Sequence, residues 1–334
     1  MKKLITIMSL ALVGFTFGQD EEPKFNVTGS IDAYFRTNLT SVNDGANNFT
    51  GNAGDLSIFN NDSGFSFGMA NVNFSYEGEK VGFVADFAYG PRADAWTGDV
   101  GVVNEAYMYW NVSEKAMLMM GRFNSWMGYE RLSAANNFHY SMSHMYTYSA
   151  RNFNGLVAQF DLGNDFNFGV GVMNPVNITV GNDTGDYSIA AGVSKGKTGV
   201  SFASSQETSY IDFKTGFSFS DSFDMWLNAH IADYGENPAS YQVVGDGFTS
   251  ISAYPRIKSS DNMSWGMRLE YIMFDDANDT SVFTPTLTAN YSVGDLTIIP
   301  ELRLDSASED LFLDADGAAT EGLTSFNLAA VYTF

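Results

Sequence analysis

Residues 25–36 read FNVTGSIDAYFR, and the order of residue types in this run decides the fold. Phe25, Val27, Gly29, Ile31, Ala33 and Phe35 alternate with Asn26, Thr28, Ser30, Asp32, Tyr34 and Arg36. In an extended strand the two sets point to opposite faces. One face is therefore apolar, and the other is polar with charges of both signs. A soluble sandwich has the same period, because its outer faces meet water. Recurrence of the pattern, and the residues at its ends, separate the two architectures.

The pattern recurs to the C-terminus. It predicts strands over 24–37, 65–77, 80–90, 102–112, 116–123, 150–162, 165–175, 186–195, 198–206, 210–220, 223–233, 248–258, 263–274, 282–293, 295–305 and 322–334. That makes about sixteen strands, or fourteen if 198–220 is one bent hairpin arm. Short turns rich in Gly, Asn and Asp, such as Gly163-Asn164-Asp165 and Gly294-Asp295, supply the positive φ that tight hairpins require. Longer polar connections at 38–64, 91–101, 124–149, 234–247 and 306–321 fall between them. Short turns at one end and long loops at the other are the arrangement of an outer-membrane barrel. Aromatics fit the same picture. Tyr76, Trp110, Phe160, Phe166, Phe219, Phe223, Trp265 and Tyr291 all fall on the apolar face beside a short turn, where a girdle meets lipid headgroups. The fold expected is all-β: a transmembrane antiparallel up-and-down β-barrel, set in outer-membrane lipid. Pro255, Pro285 and Pro300 lie inside expected strands and predict bulges or shifted strand ends.

The termini agree with export to that membrane. Lys2 and Lys3 precede an apolar run, Leu4 to Phe17, followed by Gly18. This predicts a signal peptide over 1–18 and a single barrel domain over 19–334. The last strand ends Phe326, Leu328, Ala330, Tyr332, Phe334, all on the apolar face. It resembles the C-terminal signature read by barrel-assembly machinery. There is no cysteine, so disulfides and a lipid anchor at cysteine are excluded. A formal net charge of −22 argues against nucleic acid as a partner.

Between the fifth and sixth strands, 124–149 breaks the alternation and carries Tyr129, Glu130, Arg131 and His139 among many aromatics and methionines. This composition suits a loop packed inside a lumen, and the expectation is a third external loop folded inward as a constriction. Gly121-Arg122-Phe123, Gly128-Tyr129-Glu130, Asn136-Asn137 and Ser141-Met142-Ser143 resemble the core of the OmpL-like β-barrel porins. Arg151–Asn174, with Gly155 and Gly171-Val172-Met173-Asn174, continues the resemblance. Relatives often carry a proline before that strand; here Ser149-Ala150 stands in its place. The resemblance implies a Gram-negative outer-membrane porin and names no solute; sixteen-strand porins are commonly trimers, so a homo-oligomer is expected by analogy.

Expected pore-lining residues on the wall are Arg36, Asp86, Glu105, Tyr107, Arg122, Arg268, Glu270, Glu301 and Arg303. Tyr129, Glu130, Arg131 and His139 are expected to line it from the loop. Such charges belong in water, since a Lys or Arg facing lipid at mid-bilayer costs about 2–4 kcal/mol. Catalysis is not expected: His139 and His144 beside Ser141 and Ser143 lack a positioned third group. No cofactor is expected. Asp314-Ala315-Asp316-Gly317 has part of a calcium loop's ligand series, so calcium at the acidic external loops is the one metal to consider. The expected function is passive diffusion of small hydrophilic solutes and ions. Acidic loops near 275–279 and 305–321, with Glu105 and Glu130 inside, predict a modest cation preference. The alternative is a barrel closed by its loops that serves as a surface binding, adhesive or envelope-stabilising protein.

Overall fold

The computed structural model describes residues 24–43, 63–97, 100–176, 181–206, 208–235 and 245–334. The signal peptide expected over 1–18 lies outside these residues. The barrel strands are β1 (Lys24–Asn38), β2 (Gly64–Glu77), β3 (Val81–Tyr89), β4 (Val103–Ser113), β5 (Ala116–Asn124), β6 (Asn152–Gly163), β7 (Phe166–Met173) and β8 (Ser188–Lys195). They continue with β9 (Thr198–Ser204), β10 (Ser209–Ser218), β11 (Phe223–Asp233), β12 (Gly247–Lys258), β13 (Met263–Phe274), β14 (Ser281–Val293) and β15 (Leu296–Ala307). A small hairpin, β16 (Phe312–Leu313) and β17 (Ala319–Thr320), precedes the last barrel strand, β18 (Gly322–Thr333). Each barrel strand pairs with its neighbours in sequence, and β1 pairs with β18 to close the ring. The residues 198–220 form two separate strands, β9 and β10, which removes the fourteen-strand count.

Alternation decides inside from outside along these strands. On β1, Ser30, Asp32, Tyr34 and Arg36 are buried, whereas Ile31 is 52% exposed. Trp110, Phe219, Trp265 and Tyr291 stand exposed on the outer face next to the short turns, as a headgroup girdle requires. Closure is completed by the terminal residue: the Phe334 and Gly29 backbones exchange two hydrogen bonds, both 3.1 Å. A Cβ at Gly29 would run into the Asn71 carbonyl and the Phe334 ring, so only glycine lets the last aromatic lie across β1.

Three sequence expectations need correction. Pro255, Pro285 and Pro300 cause neither bulges nor register shifts; pairing lapses for two residues on one side and resumes in register. Each proline still faces a paired neighbour on its other side, opposite Met225, Leu269 and Leu328. A proline lacks one donor, so it disturbs one ladder only. The register shifts lie elsewhere: after Asp32 on β1 and after Asp86 on β3, where β2 and β4 carry the extra residues Gly68 and Asn104, and beside two short turns, between Asn111 and Ser113 and between Asp161 and Gly163. Loop length is also less segregated than expected, since β9 and β10 are joined at the long-loop end by a tight connection, Ser205 N–H to Thr208 O. The connection read as a plain loop at 91–101 contains a helix, α1 (Pro91–Thr97), with proline at its first position.

Candidate functional site

The segment between β5 and β6 lies inside the barrel. Its second half forms a short helix, α2 (His144–Tyr148), capped by Ser143, whose Oγ accepts from Tyr146 N–H. All five residues of α2 are buried. Nothing in its own sequence would hold so short a helix in water; the wall does so through the backbone. The Glu270 carboxylate accepts from the N–H groups of His144 (3.0 Å) and Met145 (2.7 Å), donors that a helix start leaves unmet. Glu301 accepts in the same way from Tyr140 N–H (2.8 Å) and Ser141 N–H (3.0 Å). The Arg268 guanidinium donates to Ser141 O (2.5 Å), and that of Arg303 to Met142 O (2.6 Å). Both loop and wall groups are buried, so each of these bonds is made away from bulk water.

Ion pairs complete the grip. Arg268 meets Glu130 at 2.8 Å, and the other Glu130 oxygen takes Ser143 N–H (2.9 Å) and the Ser143 hydroxyl. Arg303 meets Asp305 at 2.7 Å, with His144 Nε2 2.9 Å from the same carboxylate. Tyr140 spans the closing strand from inside: its N–H is held by Glu301 on β15, and its hydroxyl donates to Asp32 on β1 at 2.7 Å. Gly68 makes room for this contact, because a Cβ there would meet both Asp32 and the Tyr140 hydroxyl.

The rest of the loop packs by apolar contact. Trp126, Met127, Met145 and Tyr148 join Met117, Met119, Phe123, Phe153 and Met173 in one buried cluster. The wall of β5 to β7 is thus apolar inside as well as outside, a departure from strict patterning that exists because the loop covers it. Helix α1 leans in from the neighbouring connection, with Trp96 stacked on Tyr146 at 4.6 Å and Arg92 over the Tyr140 ring.

The expected pore-lining residues therefore divide. Glu130, Arg268, Glu270, Glu301 and Arg303 are spent on fastening the loop. Tyr129 is wedged against Tyr254 (4.6 Å) and Trp226 (5.2 Å). His139 Nδ1 lies 2.7 Å from Thr288 Oγ1, and burial, with Arg268 and Arg256 near, holds its imidazole well below the ordinary histidine range. Arg36 is buried near the long-loop end of β1. Arg122 is a correction: it shares the outer-face parity of the exposed Met120, and the bulge at Asn104 gives it acceptors. Its Nε donates to the carbonyls of Val103 and Asn104, and Nη2 to Asn152 Oδ1.

Asp86, Glu105, Tyr107 and Arg131 behave differently. They line a cavity of about 430 Å³ between the loop and the wall, reaching from Trp126 and Ser133 down to Thr333 at the short-turn end. Asn71, Asn73, Asn104 and Gln159 add amides to the same wall. Sequence reading missed Asn104, which the β4 bulge turns inward onto Asp86 (2.7 Å).

Comparison with known proteins agrees with this architecture. The family model described as "Putative beta-barrel porin-2, OmpL-like" matches residues 24–334. The chain belongs to this porin family. It is accordingly an outer-membrane protein with a channel-type barrel. Among solved structures it is similar to the outer membrane channel DcaP of Acinetobacter baumannii, with TM-score 0.62 and 15% identity, covering 93% of this chain and 97% of that one. The outer membrane protein OmpT of Vibrio cholerae gives TM-score 0.55 and 9% identity, over 95% and 99%. OprB of Pseudomonas putida gives 0.51 and 9%, over 93% and 94%. At such identities these likenesses concern the fold. No curated protein matches the chain in sequence.

Proposed function

We propose that this porin passes small hydrophilic solutes and ions by passive diffusion, along the side of the lumen that the loop leaves open. The supporting observation is the division of the interior. Against β13 to β15 the loop is fastened by buried charges, while towards β1 to β6 a polar cavity persists. The loop's Trp126, Arg131 and Ser133 face that cavity opposite Glu105 and Asp86, which supports the 124–149 segment as the constriction. Passage needs no bond chemistry, so the proposal is of a non-enzymatic channel with a leader over 1–18 and one barrel over 19–334.

A modest cation preference belongs to the same proposal. Asp275, Asp279, Glu309, Asp310, Asp316 and Glu321 are exposed at the long-loop end, and their field reaches about 8 Å at physiological ionic strength. Asp305 does not contribute, being buried against Arg303, and neither does Glu130, neutralised by Arg268. Glu105 is the remaining inner candidate. A form of OmpT is described as a trimer, and a homo-oligomer of this chain is proposed by that likeness alone.

Planar-bilayer conductance of the purified, refolded barrel tests the reading. Defined open steps in KCl, with a reversal potential favouring cations at low salt, are expected. A correctly folded barrel without conductance would favour the loop-closed surface protein instead.

A further inference from the structure

Among the described residues, Glu105 and Arg131 line one cavity and neither lies within ion-pair distance of an opposite charge. Among the described lumen charges, protein groups answer most of the rest: Glu130 with Arg268, Asp305 with Arg303, and Asp212 with His230. Lys214 is held by the carbonyls of Trp126 (2.9 Å) and Gly128 (3.0 Å). Three charged residues line the cavity: Asp86, Glu105 and Arg131. Asp86 is satisfied by two amides, Asn71 Nδ2 at 2.9 Å and Asn104 Nδ2 at 2.7 Å. Glu105 takes a single hydrogen bond, from Asn124 N–H to Oε1 at 2.9 Å, leaving Oε2 uncommitted. Arg131 donates through Nη1 to the carbonyls of Gly128 and Glu130, leaving Nη2 and Nε uncommitted, and forms no ion pair.

A solute that satisfied both groups would carry one positive and one negative charge. We propose that this cavity is a subsite for small zwitterions, with Glu105 facing the ammonium and Arg131 the carboxylate. This rests on the porin reading and deepens it. Guanidinium suits a carboxylate because its planar donors match the two oxygens. Asn73 and Gln159, whose side chains make no hydrogen bond among the described residues, offer neutral donors and acceptors for the remaining polar groups of a solute. Tyr107 and Trp126 provide the apolar walls. The volume, about 430 Å³, is of the order of known small-molecule pockets and holds an amino acid with water or a dipeptide. A purely anionic or cationic solute would gain one contact and leave the like-charged group facing it.

L-Alanine and lactamide are isomers, the first a zwitterion and the second neutral, and so match in size. Uptake of each at sub-millimolar concentration is measured into proteoliposomes that hold the refolded full-length barrel. L-Alanine is expected to enter faster by about fivefold for each ionic contact, the ratio that one exposed pair of about 1 kcal/mol gives. Glu105→Gln and Arg131→Gln should each cut that advantage about fivefold, read as the alanine-to-lactamide ratio in the same vesicles, so that any change in overall conductance divides out. Equal entry of the two isomers into wild-type vesicles would overturn the proposal without any variant, and so would variants that keep the alanine advantage. Preferential entry of glycerol, unaffected by either substitution, would also overturn it and make the cavity a polyol site. A folded barrel that passed no solute and no KCl would overturn the porin reading itself.

Discussion

Arg268→Met removes the cation paired with Glu130. In the native barrel Arg268 also donates to Ser141 O and Ser141 Oγ, and it is fully buried. Methionine fills much of the volume and leaves the buried Glu130 carboxylate, among the described residues, with hydrogen bonds from Ser143 alone. Removing one member of a buried pair costs about 3–5 kcal/mol, because the remaining charge stays desolvated. The released state of the loop can hydrate Glu130 and the native state cannot, so this penalty falls on the docked loop. It raises the released population roughly a hundredfold to a few thousandfold. The Glu270 and Glu301 bonds to the loop backbone remain, so the outcome is intermittent release. Single-channel recording should show brief excursions to a larger conductance, absent in the wild type, while heat-modifiable gel mobility still reports a closed barrel. Glu130→Gln combined with Arg268→Met removes both charges and should suppress the excursions. Wild-type noise in the single variant, with the loop still resistant to protease, would refute the assignment of Arg268 as a fastener.

Shortening residues 127–144 should raise conductance and the size limit for sugars in liposome swelling, and unchanged values would move the constriction elsewhere. Because burial holds His139 neutral in the docked loop, docking is at full strength above the usual histidine pKa of about 6.5 and weakens as pH falls below it. Loop-release noise should therefore grow on acidification, and His139→Gln should flatten that dependence. Neutralising Asp275, Asp279 and Asp316 should abolish the salt-dependent part of the cation preference, read as a reversal potential, and leave conductance at high salt unaltered. Gly29→Leu displaces the Phe334 ring and disturbs β1–β18 pairing, where each unpaired backbone group facing lipid costs several kcal/mol, so yields of heat-modifiable barrel should collapse.

The strands were legible because their signals are local. Period two, turn residues with positive φ such as Asn164 and Asp165, and aromatics beside the turns can all be read within a dozen residues. The inward loop was legible from composition, since methionines and aromatics at that density have no role in water. The partners of its charges were not. Glu130 and Arg268 are 138 residues apart, as are no two groups that periodicity relates, and Tyr140 and Glu301 are separated by 161. The parity count failed in two places, at Asn104 through a bulge and at Arg122 without one. The extra residue Asn104 turned inward on β4 without a sequence signal, and Arg122 took the outer-face parity. Helix α1 did have a signal, proline at its first position, that was passed over inside a loop.

Tyr140 has a mechanical consequence for the barrel as a whole. A closed ring with no edges can be opened only by unzipping one ladder, and the ladder between β1 and β18 joins the first and last strands. Tyr140 reaches over β18 on the inside, tied at one end to β15 and at the other to β1. Separating β1 from β18 therefore also strains a strut that the ladder itself does not contain. Its loss would leave equilibrium strand content unchanged and shorten the lifetime of the closed ring, which is a property of rates. The segment proposed to narrow the channel is in this sense also a clamp on its seam, and loosening it for wider passage trades against the durability of the vessel.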